Sequence, residues 1–215
     1  MAPIAGSAVD QLLARCPTLA ELAWVASIEA LTFTSDPSAG GMVCSAALGS
    51  RDLTLLQKRA YQAVLLFSWI RFDSPLPWTD EELDGWLAHA IHGVDFRDDA
   101  QYSFCCEAGG IIVVQTNNLW VLTASGLREI WQATLSLAAL IAHEARHNEG
   151  YGHTCGAWDE TVAELGSWGL QYYFLLWVGT HSDPSVVSEP FRTAAARTAA
   201  GMGRFFCHPP AELVA

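Results

Sequence analysis

Apolar residues recur at spacings of three and four along most of the chain, which is the signature of helices that bury one face. The pattern predicts short helices over 8–14 and 19–26 and a long one over 52–72 that stops before Pro75. Thr79 and Glu82 have the spacing of a capping box, opening a helix for which Gly93 supplies the exit. Further helices are expected from about Gly126 into the histidine cluster at 143–153, from about 158 to 178 and from 184 to about 203. Runs of branched and aromatic residues predict strands over 30–35, 110–116 and 119–123, with Asn117 and Asn118 as a tight turn between the last two. The expected architecture is α+β and predominantly helical, in one domain over 1–215, with the "HEARH" helix and the helix after it packed on a sheet of about three strands.

Composition narrows the classes of function. Of 215 residues, 51% are hydrophobic and 16% charged, with 9 Trp, enough to fill a large buried interior. The 11 Lys+Arg against 23 Asp+Glu leave a net charge of -12, a surface that repels nucleic-acid phosphates and anionic lipid alike. The most apolar stretches, 135–142 and 170–179, are shorter than the ~20 residues that span a bilayer, so no membrane insertion is expected. The start "MAPIAGSAVDQLL" lacks the basic and apolar regions of a secretory signal. Six cysteines without zinc-ribbon spacing leave disulfides open, and with them an extracytoplasmic location.

Candidate chemistry concentrates at 143–153. His143 and His147 stand four apart, which puts both imidazoles on one helix face, where two nitrogens can bind one zinc ion. Glu144 follows the first histidine, placed to act as general base on a water at the metal and to return the proton to a leaving amine. Gly150 and His153 extend the pattern to "HEARHNEGYGH". This stretch resembles the HExxHxxGxxH signature of the metzincin zinc peptidases. The resemblance covers 143–153 and implies a zincin-like domain with His143, His147 and His153 as zinc ligands, Glu144 as general base and acid, and a methionine turn for which Met202 is the downstream candidate. It also implies that Gly150 turns the chain out of the helix through a left-handed conformation.

The third ligand is open at this point. Asp159, Glu160 and Glu164 of "WDETVAELG" are alternatives, in an arrangement similar to gluzincin-type peptidases, where a downstream glutamate replaces the third histidine. Those not used as ligands are expected to hydrogen-bond the ligand imidazoles. Tyr151 is the first candidate for the donor to a developing oxyanion, ahead of His181 and of Tyr172 and Tyr173, which are read first as packed residues with their hydroxyls at the surface. His89 and His92 are read as helix-end residues, Arg146 and Glu149 as solvent-facing, Trp158 as the tryptophan nearest the cleft, and Cys155 as a buried cysteine or half of a bridge to Cys105, Cys106 or Cys44.

Two functions follow. One is a zinc-dependent hydrolase, a small metallopeptidase acting on a peptide or small amide substrate. The other is a metalloenzyme that does not cut peptides (a lyase, isomerase or tailoring enzyme), or a domain with a structural metal.

Overall fold

The computed structural model describes residues 7–45 and 51–213; the opening "MAPIAG" lies outside them. Seven α-helices occur among the described residues: α1 (Ala8–Ala14), α2 (Leu19–Ile28), α3 (Leu55–Trp69), α4 (Leu83–Ala90), α5 (Gly126–Asn148), α6 (Ser167–Thr180) and α7 (Glu189–Ala200). The strands are β1 (Ala30–Phe33), β2 (Met42–Cys44), β3 (Leu53–Thr54), β4 (Gly93–Arg97), β5 (Phe104–Glu107) and β6 (Ile111–Gln115). The protein is thus α+β and predominantly helical.

Three helices begin with reciprocal capping boxes, Ser7 with Asp10, Thr18 with Glu21, and Thr54 with Gln57. Each satisfies two backbone N–H groups that a helix start would otherwise leave unpaired. The box expected at Thr79 and Glu82 does not form. Helix α4 starts at Leu83 with no side-chain cap, the Thr79 hydroxyl accepts from the Glu81 amide, and Glu81 reaches His89 at 2.8 Å. Gly93, expected as a helix exit, is the first residue of β4, where a Cβ would lie 2.6 Å from the Ala30 carbonyl oxygen. Glycine there lets β1 and β4 meet.

The sheet has four strands in the order β1-β4-β6-β5, not about three, with β1, β4 and β6 parallel and β5 antiparallel to β6 at one edge. A separate two-stranded ribbon pairs β2 with β3. The strand expected over 119–123 is instead a 3-10 turn at Trp120–Leu122. Asn118 has φ 65 and the Asn117 amide donates to the Asp98 carbonyl, so the chain leaves the sheet after β6. The helix expected from 158 begins only at Ser167, and the one expected from 184 only at Glu189.

Helix α5 is the spine of the molecule. It packs on α1, α3, α4, α6 and α7 and against β5 and β6. Trp131, Ala138, Ala139, Ile141, Ala142 and Ala145 along it are fully buried. Small residues near its C-terminal half let neighbouring elements approach the turns that carry the histidines.

One buried group works against this core. Glu29, at the junction of α2 and β1, is 2% exposed, and neither carboxylate oxygen has a partner. Burial pushes its pKa up to about 8 from an ordinary 4.5. A raised folded-state pKa means that the folded protein binds the proton more tightly than the unfolded chain. The contribution of Glu29 to stability is therefore intact below about pH 4.5 and lost as pH rises toward 8. Glu29→Gln is expected to match wild type at pH 4 and to exceed it at pH 8 by on the order of 3 kcal/mol. Urea denaturation at both pH values checks this, and equal stabilities at pH 8 would contradict it.

Candidate metal centre

Helix α5 delivers His143, Glu144 and His147 to the mouth of a cleft of about 690 Å³. The wall opposite is edge strand β5 with the residues before it, Tyr102, Ser103, Phe104 and Cys105. Gly150 ends the helix side with φ +94, the left-handed turn expected of it, and His153 follows on the returning loop. His143, His147 and His153 each offer a ligand atom, all within 4.8 Å of one another. They are the metal-capable group among the described residues.

The nitrogens facing away from the cleft are accounted for. His147 Nδ1 donates to the Tyr151 carbonyl at 2.6 Å, with Ser167 Oγ 3.0 Å from the same nitrogen. His153 Nδ1 donates to Asp159 Oδ1 at 3.2 Å. Nε2 of both rings is left for a metal. Burial, reinforced by the neighbouring imidazoles, lowers the His143 pKa to about 3. Burial likewise holds His147 below its ordinary value. Neutral imidazoles are the form that binds a metal ion. The residues present therefore fit a metal bound through three nitrogens, with room in the cleft for a further ligand.

Of the proposed alternatives, none joins the cluster. Asp159 is fully buried and holds His153 from behind, its Oδ2 accepting the N–H groups of Trp168 and Gly169 at 2.9 and 3.1 Å. It thereby caps α6 from a remote loop, which sets the start of that helix at Ser167 rather than at 158. Gly166 makes the approach possible, since a Cβ there would meet Oδ2 at 2.5 Å. Glu164 accepts from Thr154 Oγ1 at 2.7 Å and from the Glu160 amide at 3.2 Å, and Glu160 pairs with His208 at 3.7 Å. Both glutamates fix the loop rather than face the cleft.

Glu144 lines the cleft and is 5% exposed. Burial pushes its carboxyl up to about 7, while the Cys105 backbone amide beside it pulls the other way. Tyr151 also lines the cleft; its ring lies under the Arg146 guanidinium, 3.4 Å from the centroid. Arg146, expected to face solvent, is 5% exposed and donates to the Leu165 carbonyl and to Glu149, which also accepts from the Trp86 indole. That network pins the end of α5 to the loop before α6.

No protein-family model, curated protein or solved structure matches the chain. The site is thus read from its own geometry.

Of the remaining candidates, some lie where expected and others do not. Tyr172 and Tyr173 border a different hollow with Thr161, His208 and Pro210, and His181 pairs with Asp73 at 2.9 Å. The tryptophan at the cleft is Trp168, not Trp158, with its ring 4.3 Å from that of His143. Met202 is buried in a 3-10 turn after α7, and it is Trp168 that packs on the imidazoles. Cys155 pairs with Cys207, Cys16 with Cys44, and Cys105 with its neighbour Cys106. The Cys155–Cys207 pair still secures the loop that carries His153. His89 sits in the last turn of α4, and His92 is exposed just beyond it, neither in a metal-capable group among the described residues.

Sequence reasoning missed the cleft wall at 102–104 and two polar residues of α6, Ser167 and Gln171. The second omission was avoidable. Ser167 and Gln171 are four apart in a helix that otherwise reads "WGL" and "YYFLLWVG", and isolated polar side chains on an apolar helix mark buried hydrogen bonding.

Proposed function

We propose that the protein is a zinc-dependent hydrolase, a small metallopeptidase that cleaves a peptide or amide bond. The observation that carries this reading is the buried carboxylate of Glu144 in the same cleft as the three-histidine cluster. A structural metal site needs neither an open cleft nor a carboxylate poised beside it. Zinc suits a set of three imidazoles with one open position, and when bound it supplies a Lewis acid and lowers the pKa of water.

The chain's own groups do the rest. Glu144 accepts a proton from the attacking water and delivers it to the departing nitrogen, which balances the hydrolysis. Burial raises the basicity of this carboxylate, which favours taking a proton from water. The unpaired side of β5 offers backbone hydrogen bonds along the cleft to an extended chain. Tyr102, Phe104, Tyr151 and Trp168 contribute aromatic surface, and no Lys or Arg among the described residues lines the cleft, so a substrate with apolar side chains is favoured over an acidic one. The three cysteine pairs suit an oxidising compartment.

Digestion of a mixed peptide library by the zinc-loaded protein tests the reading. The expected result is cleavage beside apolar residues, abolished by a chelator and restored by zinc. A protein that holds zinc and leaves the library intact would move the reading to a metalloenzyme of other bond chemistry.

A further inference from the structure

Helix α6 supports the cluster from the side away from the cleft. Its first amides hold Asp159, which meets His153, and its Ser167 hydroxyl meets His147. His143 faces two residues of the same helix, Gln171 and Ser167.

The helix register puts Gln171 there. His143 lies four residues before His147 on α5, and Gln171 lies four residues after Ser167 on α6, so each is one turn from a member of an established contact. The two helices pack together. His143 Nδ1 and Gln171 Oε1 are both buried, neither makes a hydrogen bond of good geometry, and the Gln171 side chain lies close enough to His143 to act on its imidazole. One of these atoms carries a proton when Nε2 binds a metal, and the other can only accept.

We propose that Gln171 is the positioning residue of His143, its Oε1 accepting the Nδ1–H and so fixing the tautomer and ring plane that turn Nε2 to the metal. The inference rests on reading the three histidines as a metal site. A second acceptor, the Ser167 backbone carbonyl, also lies beside His143. That carbonyl already takes the Gln171 amide in the first turn of α6. The Gln171 side chain has no such duty.

The test is zinc affinity, measured by chelator competition on wild type, Gln171→Leu and Gln171→Glu, with thermal melts of the metal-free proteins alongside. Nitrogen-15 spectra of the zinc-loaded proteins report the His143 Nδ1–H. Gln171→Leu is expected to weaken zinc binding by ~10-fold to ~100-fold while the metal-free melt holds, and the His143 Nδ1–H is expected to exchange faster with water. Gln171→Glu retains the acceptor and is expected to bind zinc at least as tightly as wild type. Should Gln171→Leu fail to fold, Gln171→Met takes its place.

Wild-type affinity and an unchanged Nδ1–H in the leucine or methionine variant would overturn the proposal and assign the role to the Ser167 carbonyl. Equal losses in Gln171→Glu and Gln171→Leu would overturn it as well. If wild type itself binds no zinc, the metal reading fails instead, which keeps the two outcomes distinct.

Discussion

Glu144→Gln is expected to bind its metal as wild type does and to lose hydrolysis by ~10²-fold to ~10⁴-fold, the range set by removing a general acid–base group. Glutamine fills the same volume and keeps an acceptor toward the Cys105 amide, so the wall of the cleft should hold its shape. What it cannot do is carry a proton. The wild-type pH profile provides a second check. Without a metal, burial keeps the Glu144 carboxyl protonated up to about pH 7. A dication in the cleft pulls that value back toward the ordinary 4.5. The acid limb of the rate profile should therefore fall between those values, with activity lost as pH drops through it. Steady-state rates of wild type and Glu144→Gln from pH 4 to pH 9 measure both effects, and a glutamine variant with more than about a tenth of wild-type turnover would remove Glu144 from the chemistry.

The second large effect concerns the third ligand. His153→Ala is expected to weaken zinc binding by at least ~100-fold, since it removes one of three donors to an ion whose binding is shared among few ligands. Asp159→Ala should weaken it by ~10-fold to ~100-fold by freeing the His153 ring. It should also lower stability, because the Trp168 and Gly169 amides lose the carboxylate that caps α6. Glu160→Gln and Glu164→Gln should leave affinity unchanged, since both carboxylates are turned to the loop. Chelator competition across the set separates ligand, support and bystander. Full zinc affinity in His153→Ala would return the third position to a carboxylate.

These contrasts mark what could be read from residues alone. Helix α5 was legible because its apolar face repeats cleanly and its polar end carries a spaced motif with a glycine exit. The third ligand was not, because spacing places His153, Asp159, Glu160 and Glu164 at similar reach. The choice depends on where the loop returns, and that is set by Asp159 capturing the start of α6 across an intervening 3-10 turn. Trp158 looked like a helix start for the same reason, since nothing local announces that the chain is held from afar.

Strand β4 was hidden by Asp95 and Arg97, charged residues that break an apolar run. Their partners, Thr34 and Glu107, lie on segments remote in sequence. Strand β5 was hidden by its brevity and its adjacent cysteines, although it forms the wall that makes a cleft of the histidine face. Arg146 was misread because helix position says which way a side chain leaves the axis, and not what will fold over it. Here Tyr151 and the Leu165 carbonyl do so.

His143, His147 and His153 are proposed to hold one metal ion. The most direct measurement of this is the zinc content of purified wild type and of a His143→Ala/His147→Ala double variant after equilibration with zinc and removal of excess. One equivalent is expected in wild type and none tightly held in the variant. Less than about half an equivalent in wild type, or an equal content in both proteins, would contradict it.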